Sequence, residues 1–157
     1  MKVYHGSRVA VKDPDTKHSR LEGDFGKGFY VTPIFEQAVK WAERFKRLNG
    51  KGFVSSYEFE ESCLQTNNAL VFEQYTTDWL DFILKCRKGE DNTTYDIVMG
   101  GVADDNVFNT IELYNDELIS KEEAIKRLRF LKPNMQICFR SQRMIDTYLR
   151  FEEVIKI

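Results

Sequence analysis

Two short segments near the start constrain the fold of this chain more than anything else in it. The first is Tyr4-His5-Gly6-Ser7, and the second is Gly23-Asp24-Phe25-Gly26-Lys27-Gly28-Phe29-Tyr30-Val31-Thr32. Val3 to His5 reads as a first strand, and the polar residues 6–26 as a loop. A loop of that length in a compact domain is usually functional. Lys27 to Thr32 predicts a second strand, and a helix should follow at once. Thr32 suits its N-cap and Pro33 its first position. Ile34, Ala38, Trp41, Ala42, Phe45 and Leu48 then fall on one face, and Asn49-Gly50 ends the helix.

The rest of the chain continues the mixture. Phe53 to Phe59 alternates like a strand, with more strand from Ala69 to Phe72. Thr76 to Lys88 has Trp79, Leu80, Phe82, Ile83 and Cys86 at helical spacing, and Gly89 follows. Asp96 to Val102 predicts a buried strand ending in Gly-Gly, and Asn106 to Tyr114 fits a helix better than a strand. Ser120 and Glu123 form a capping box that opens a helix to about Leu131, broken by Lys132-Pro133-Asn134. Met135 to Arg140 reads as a strand, Gln142 to Leu149 as a short helix, and Glu153 to Ile157 as a last strand. Strands and helices mix without regular βαβ alternation, so the class is α+β. With 157 residues and no repeat or linker, residues 1–157 make a single domain.

A net charge of -2 argues against a strongly electrostatic nucleic-acid binder. The three cysteines, Cys63, Cys86 and Cys138, are odd in number and not at metal-ligand spacing. They read as buried free thiols in a reducing compartment, and no metal site is expected. No apolar run approaches the ~20 residues that cross a membrane. Residues 1–5 already read as a strand, which leaves no room for a leader. A cytoplasmic protein without a membrane partner is expected.

Each N-terminal segment carries one polar ring residue, His5 or Tyr30. Together they suit a flat heteroaromatic ligand. Tyr30 offers a stacking face, Gly6 lets the backbone approach, His5 can bond a ribose hydroxyl, and Ser7 adds a donor or acceptor. Two other glycine motifs fail. Gly23, Gly26 and Gly28 run G-x-x-G-x-G, the reverse of a dinucleotide fingerprint, and Gly26-Lys27-Gly28 lacks the Ser/Thr of a phosphate loop.

The run His5-Gly6-Ser7, with Phe25-Gly26-Lys27-Gly28-Phe29-Tyr30, resembles the signature of the ADP-ribosyltransferase superfamily in its PARP and diphtheria-toxin-like branch. Gln37-Ala38-x-x-Trp41-Ala42 resembles that family's packing helix. The similarity is specific over residues 3–45 and is closest to a small bacterial branch. It implies two packed antiparallel sheets with flanking helices, holding NAD as a substrate. It also implies a His-Tyr-Glu triad, whose third member opens a late strand. Here that position is Gln136, so the implied triad is His5, Tyr30 and Gln136. The implied NAD contacts are His5, Gly6, Ser7, Arg8, Arg20, Gly28 and Tyr30. Lys12 and Lys17 are further pyrophosphate candidates in the loop.

The family's chemistry breaks the bond between nicotinamide and ribose while positive charge builds on the ribose. An amide holds a hydroxyl but stabilises that charge less than a carboxylate does. One such electrostatic contact is worth about 3 kcal/mol. Gln136 therefore implies a slower transferase, one assisted by its acceptor, or a domain that binds without catalysis. Asp104 or Asp105 could replace part of the charge or orient an acceptor, against the plainer reading of a turn capped by Asp. Lys126-Arg127-Leu128-Arg129 reads as the solvated face of a helix. The expected function is a mono-ADP-ribosyltransferase acting on a protein or nucleic acid, as a toxin, defence or regulatory modifier with a neutralising partner protein. The alternative is a catalytically silent sensor of NAD or ADP-ribose.

Overall fold

The computed structural model describes residues 1–18, 23–66, 68–129 and 134–157. Among these lie seven strands and five α-helices in a mixed α+β arrangement. β1 (Lys2–Ser7), β3 (Phe53–Phe59) and β7 (Leu149–Lys156) form one antiparallel sheet in the order β1-β3-β7. β2 (Phe29–Val31), β6 (Gln136–Phe139), β5 (Ile97–Gly100) and β4 (Ala69–Val71) form the other, in the order β2-β6-β5-β4. One bridge, Tyr4 to Thr32, joins β1 to the residue just after β2 and so links the two sheets.

Side-chain alternation assigns the layers. Val3, Tyr57 and Phe59 of the first sheet share a buried cluster with Phe29, Val31, Ile97, Ile137 and Phe139 of the second. That cluster is the core between the sheets. The other face of the second sheet carries Val98 and Cys138, packed with Trp79, Leu80 and Ile83 of α2 (Thr77–Arg87), Val107 and Ile111 of α3 (Asp105–Asn115), and Ala124 and Leu128 of α4 (Lys121–Leu128). The outer face of the first sheet is covered by α1 (Phe35–Asn49), through Ala38 and Ala42 against Val54. α5 (Gln142–Tyr148) adds Met144 and Ile145 to the inter-sheet core.

Several expectations meet corrections here. β4 and β5 pair in parallel, with α2 between them, so the second sheet is mixed and holds one βαβ unit rather than being wholly antiparallel. β1 continues through Gly6 and Ser7, because both pair with β3, so the loop begins later than expected. The N-cap of α1 is Ile34 and not Thr32; the Thr32 hydroxyl instead accepts from the Ile34 N–H at 3.1 Å, and Pro33 lies outside the helix. Leu48 is 72% exposed, since α1 meets the sheet through Ala38 and Ala42 and its last turn projects beyond. Gly50 ends α1 with φ of 77°, as its lack of a side chain allows. α4 stops at Leu128, and the break expected at Lys132-Pro133 lies outside the described residues. β7 starts at Leu149, four residues before the expected strand, directly after α5.

Candidate functional site

The two N-terminal motifs meet at the seam between the sheets. Backbone bonds between Tyr4 and Thr32 run both ways, at 2.8 and 2.9 Å. The His5 Nδ1 lies 2.7 Å from the Tyr30 carbonyl oxygen. A carbonyl only accepts, so Nδ1 carries the proton and neutral His5 presents a lone pair at Nε2. His5 keeps part of its surface exposed, yet burial pushes its imidazole below the usual value and outweighs the opposing effect of the Tyr30 carbonyl. Its ring tilts against Phe29, with centroids 4.5 Å apart. His5 therefore stands on the inter-sheet side.

Tyr30 points the other way. Its side chain packs against the helix-side core, and its strand partner is Cys138. The Tyr30 hydroxyl accepts from the Phe25 N–H at 3.0 Å and donates to the Gly26 carbonyl. A side chain at Gly23 would come within 2.3 Å of that hydroxyl, so glycine lets the turn close over the tyrosine. Burial, assisted by the nearby Cys138 thiol, raises the phenol well above its ordinary pKa. Gln136 lies two residues from Cys138 and so shares the Tyr30 face of the sheet. The structure thus brings Tyr30 and Gln136 to one face, and His5 reaches Tyr30 through its backbone.

Gln136 is 4% exposed. Its Nε2 donates to Asp24 Oδ2 at 2.9 Å and to the Gly101 carbonyl at 3.4 Å. Asp24 is the hub of this end of the sheet. Its Oδ2 also accepts from the Ala103 N–H at 2.9 Å, and its Oδ1 pairs with Arg87 Nη2 at 2.8 Å. Arg87 lies over the Phe108 ring, 4.7 Å from its centroid. Around the same turn, Trp79 Nε1 donates to the Gly101 carbonyl at 3.2 Å. Asn134 Oδ1 accepts from the Val102 N–H at 2.8 Å and from the Tyr75 hydroxyl at 2.7 Å.

The remaining candidates have more local duties. A Cβ at Gly6 would lie 2.2 Å from the Ala38 carbonyl, so glycine there admits α1 rather than a ligand. At Gly28 it would lie 2.4 Å from Cys138 Sγ, so glycine there admits β6. The Ser7 hydroxyl donates to the Val9 carbonyl at 2.6 Å. Arg8, Lys12 and Lys17 are exposed along the loop, and Arg20 lies outside the described residues. Asp104 caps α3, accepting from the N–H groups of Asn106 and Val107 at 3.1 Å each, which is the plainer of its two readings. Lys126, Arg127 and Arg129 are exposed around buried Leu128, as a solvated helix face requires. Cys63, Cys86 and Cys138 are free and buried, and burial pushes both Cys86 and Cys138 up to about 12.

A cavity of about 280 Å³ opens beside the Gln136 network, lined by Tyr75, Gly101, Arg129, Asn134 and Met135 among others. That is just under the usual range of ligand pockets, about 300–1,000 Å³, and has room for part of a dinucleotide only. A wider groove of about 760 Å³ runs between β4 and α2. Neither is lined by His5, Tyr30 or Gln136. Among the described residues no group of His, Cys, Asp or Glu could hold a metal ion, and no helix is long and apolar enough to cross a membrane.

Sequence reasoning missed Asp24, Arg87, Asn134 and Gln37. Gln37 clamps the start of β6: its Nε2 donates to the Met135 carbonyl at 2.9 Å and its Oε1 accepts from the Met135 N–H at 3.2 Å. Asp24 stands in the second motif, and its acidic side chain among glycines was the available signal.

These layers define a two-sheet α+β domain with a polar cluster at the ends of β5 and β6. The chain belongs to the family described as protein of unknown function (DUF3990), whose model matches residues 1–151. No curated protein and no solved structure matches it.

Proposed function

We propose that the chain is an ADP-ribosyltransferase-like domain that uses NAD to modify a protein or nucleic-acid acceptor. The observation that carries this reading is the His5–Tyr30 contact, which joins the two motif strands and fixes the imidazole with Nε2 as an acceptor. No described residue bonds that Nε2. A ribose hydroxyl is a donor of the kind it can take. In the reaction, the bond between the ribose carbon and the nicotinamide nitrogen breaks, and its electron pair leaves with nicotinamide. The acceptor's nucleophilic atom bonds the same ribose carbon and loses its proton to solvent. Tyr30 would present a ring face to nicotinamide, His5 would hold a ribose hydroxyl, and Gln136 would hold the nicotinamide ribose. A toxin or regulatory modifier held by a neutralising protein fits this chemistry.

The second reading, a silent binder of NAD or ADP-ribose, draws on a different observation. Gln136 is neutral, nearly fully buried and already bonded to Asp24. The test is nicotinamide release from NAD, with and without cell extract, by wild type and Tyr30→Ala, alongside calorimetry and a thermal melt of each. Release that depends on Tyr30 supports the transferase. Heat of binding without release supports the silent module. Neither binding nor release sinks both.

A further inference from the structure

We propose that Asp24 is the positioning residue of this site, fixing the Gln136 amide so that its Oε1 is left to accept a hydroxyl of the ligand. The inference rests on the NAD-binding reading. Gln136 is flanked by two acceptors, Asp24 Oδ2 at 2.9 Å and the Gly101 carbonyl at 3.4 Å. Only a donor satisfies them, so Nε2 must face inward. Oε1 then faces away, and no described residue bonds it. Asp24 is itself immobilised, by Arg87 on Oδ1 and by the Ala103 N–H on Oδ2. Arg87 is held in turn over Phe108. The amide therefore has one orientation. A carboxylate behind Nε2 also polarises the amide, which strengthens Oε1 as an acceptor. An amide donates at one end and accepts at the other, and this position requires both.

The test uses the full chain and calorimetric binding of NAD and of two analogues, each lacking one hydroxyl of the nicotinamide ribose. Wild type should bind one analogue about tenfold more weakly than NAD, the worth of one hydrogen bond. In Asp24→Asn, residue 24 can donate or accept, so the Gln136 amide is free to turn. That variant should bind NAD about tenfold more weakly and lose the discrimination. Parallel weakening of NAD and both analogues would mean a merely structural role and overturns the proposal, as does a wild type that binds NAD without discriminating. Should Asp24→Asn fail to fold, Gln136→Met decides. It removes the acceptor at similar volume and must lose the same discrimination, and discrimination retained overturns the proposal. A wild type that binds neither NAD nor ADP-ribose refutes the NAD reading itself, a result distinct from all of these.

Discussion

Replacing Gln136 by Glu puts a second carboxylate where Asp24 now receives an amide N–H at 2.9 Å. Two unit charges about 3 Å apart repel by about 6 kcal/mol at an effective dielectric constant of about 20. Taking up a proton avoids that. Relative to an unfolded Glu with a pKa of about 4.3, protonation at pH 7 costs about 3.7 kcal/mol, at 1.36 kcal/mol per pH unit. The smaller cost wins, so the introduced glutamate enters the folded state protonated and donates to Asp24. Its folded pKa is then raised above the unfolded value, and the folded state holds the extra proton. Stability relative to wild type should be intact below about pH 4.3 and fall as pH rises, by about 1.4 kcal/mol per unit to about pH 7. Urea unfolding of both proteins from pH 4.5 to 7.5 measures this. In the Asp24→Asn background the slope should shrink to what burial of the carboxyl alone produces. A pH-independent difference, or a slope unchanged without Asp24, would refute the argument. The same reasoning predicts no gain in nicotinamide release from Gln136→Glu alone at pH 7.

Three further outcomes follow from contacts elsewhere. Gly6→Ala drives a Cβ to 2.2 Å from the Ala38 carbonyl, which is backbone and cannot swing aside; a loss of about 2 kcal/mol or more is expected in urea unfolding, and a change under 0.5 kcal/mol would contradict the packing. His5 has a folded pKa below its ordinary 6.5, so the unfolded chain binds the proton first; the stability it confers is intact above pH 6.5 and is lost as pH falls through the folded value. Wild type should lose stability across that interval relative to His5→Asn, and parallel pH profiles would count against a buried neutral imidazole. Gln37→Ala strips both backbone partners from Met135 and should cost about 1–2 kcal/mol, with faster hydrogen exchange at the Met135 amide; unchanged exchange would show that the clamp does not hold β6.

Legibility in the sequence followed the range of the forces involved. β3 spans Phe53–Phe59 as its alternation predicts, and Ser120 caps α4 as its capping box predicts, because both patterns are local. Leu48 failed for a related reason: helical spacing gives a face but not how far the neighbouring sheet extends. The parallel β4–β5 pair lay behind a connection whose direction no local pattern records. Gly6 was legible as a close approach, but the approaching group is α1 and not a ligand, while Gly28, an NAD contact by resemblance, admits β6. Gln37 and Met135 are 98 residues apart, and Asp24 and Gln136 are 112 apart. Buried polar groups must find partners, but nothing in the chain says which.

The amide at position 136 shows what that distance hides. Read alone against a triad pattern, Gln136 is a carboxylate lost. In the fold it faces a carboxylate that another segment has supplied, paired with Arg87 on its far side. Two carboxylates cannot share that contact without a proton, whereas a carboxylate and an amide can. Residues 24 and 136 are therefore one unit chemically: a change at either alters what the other can be. The charge of the cluster is one anion and one cation whichever way the unit is read, and Gln136 is the member that can bond Asp24 while keeping an acceptor for something else. That position 136 needs a donor follows from Asp24 alone.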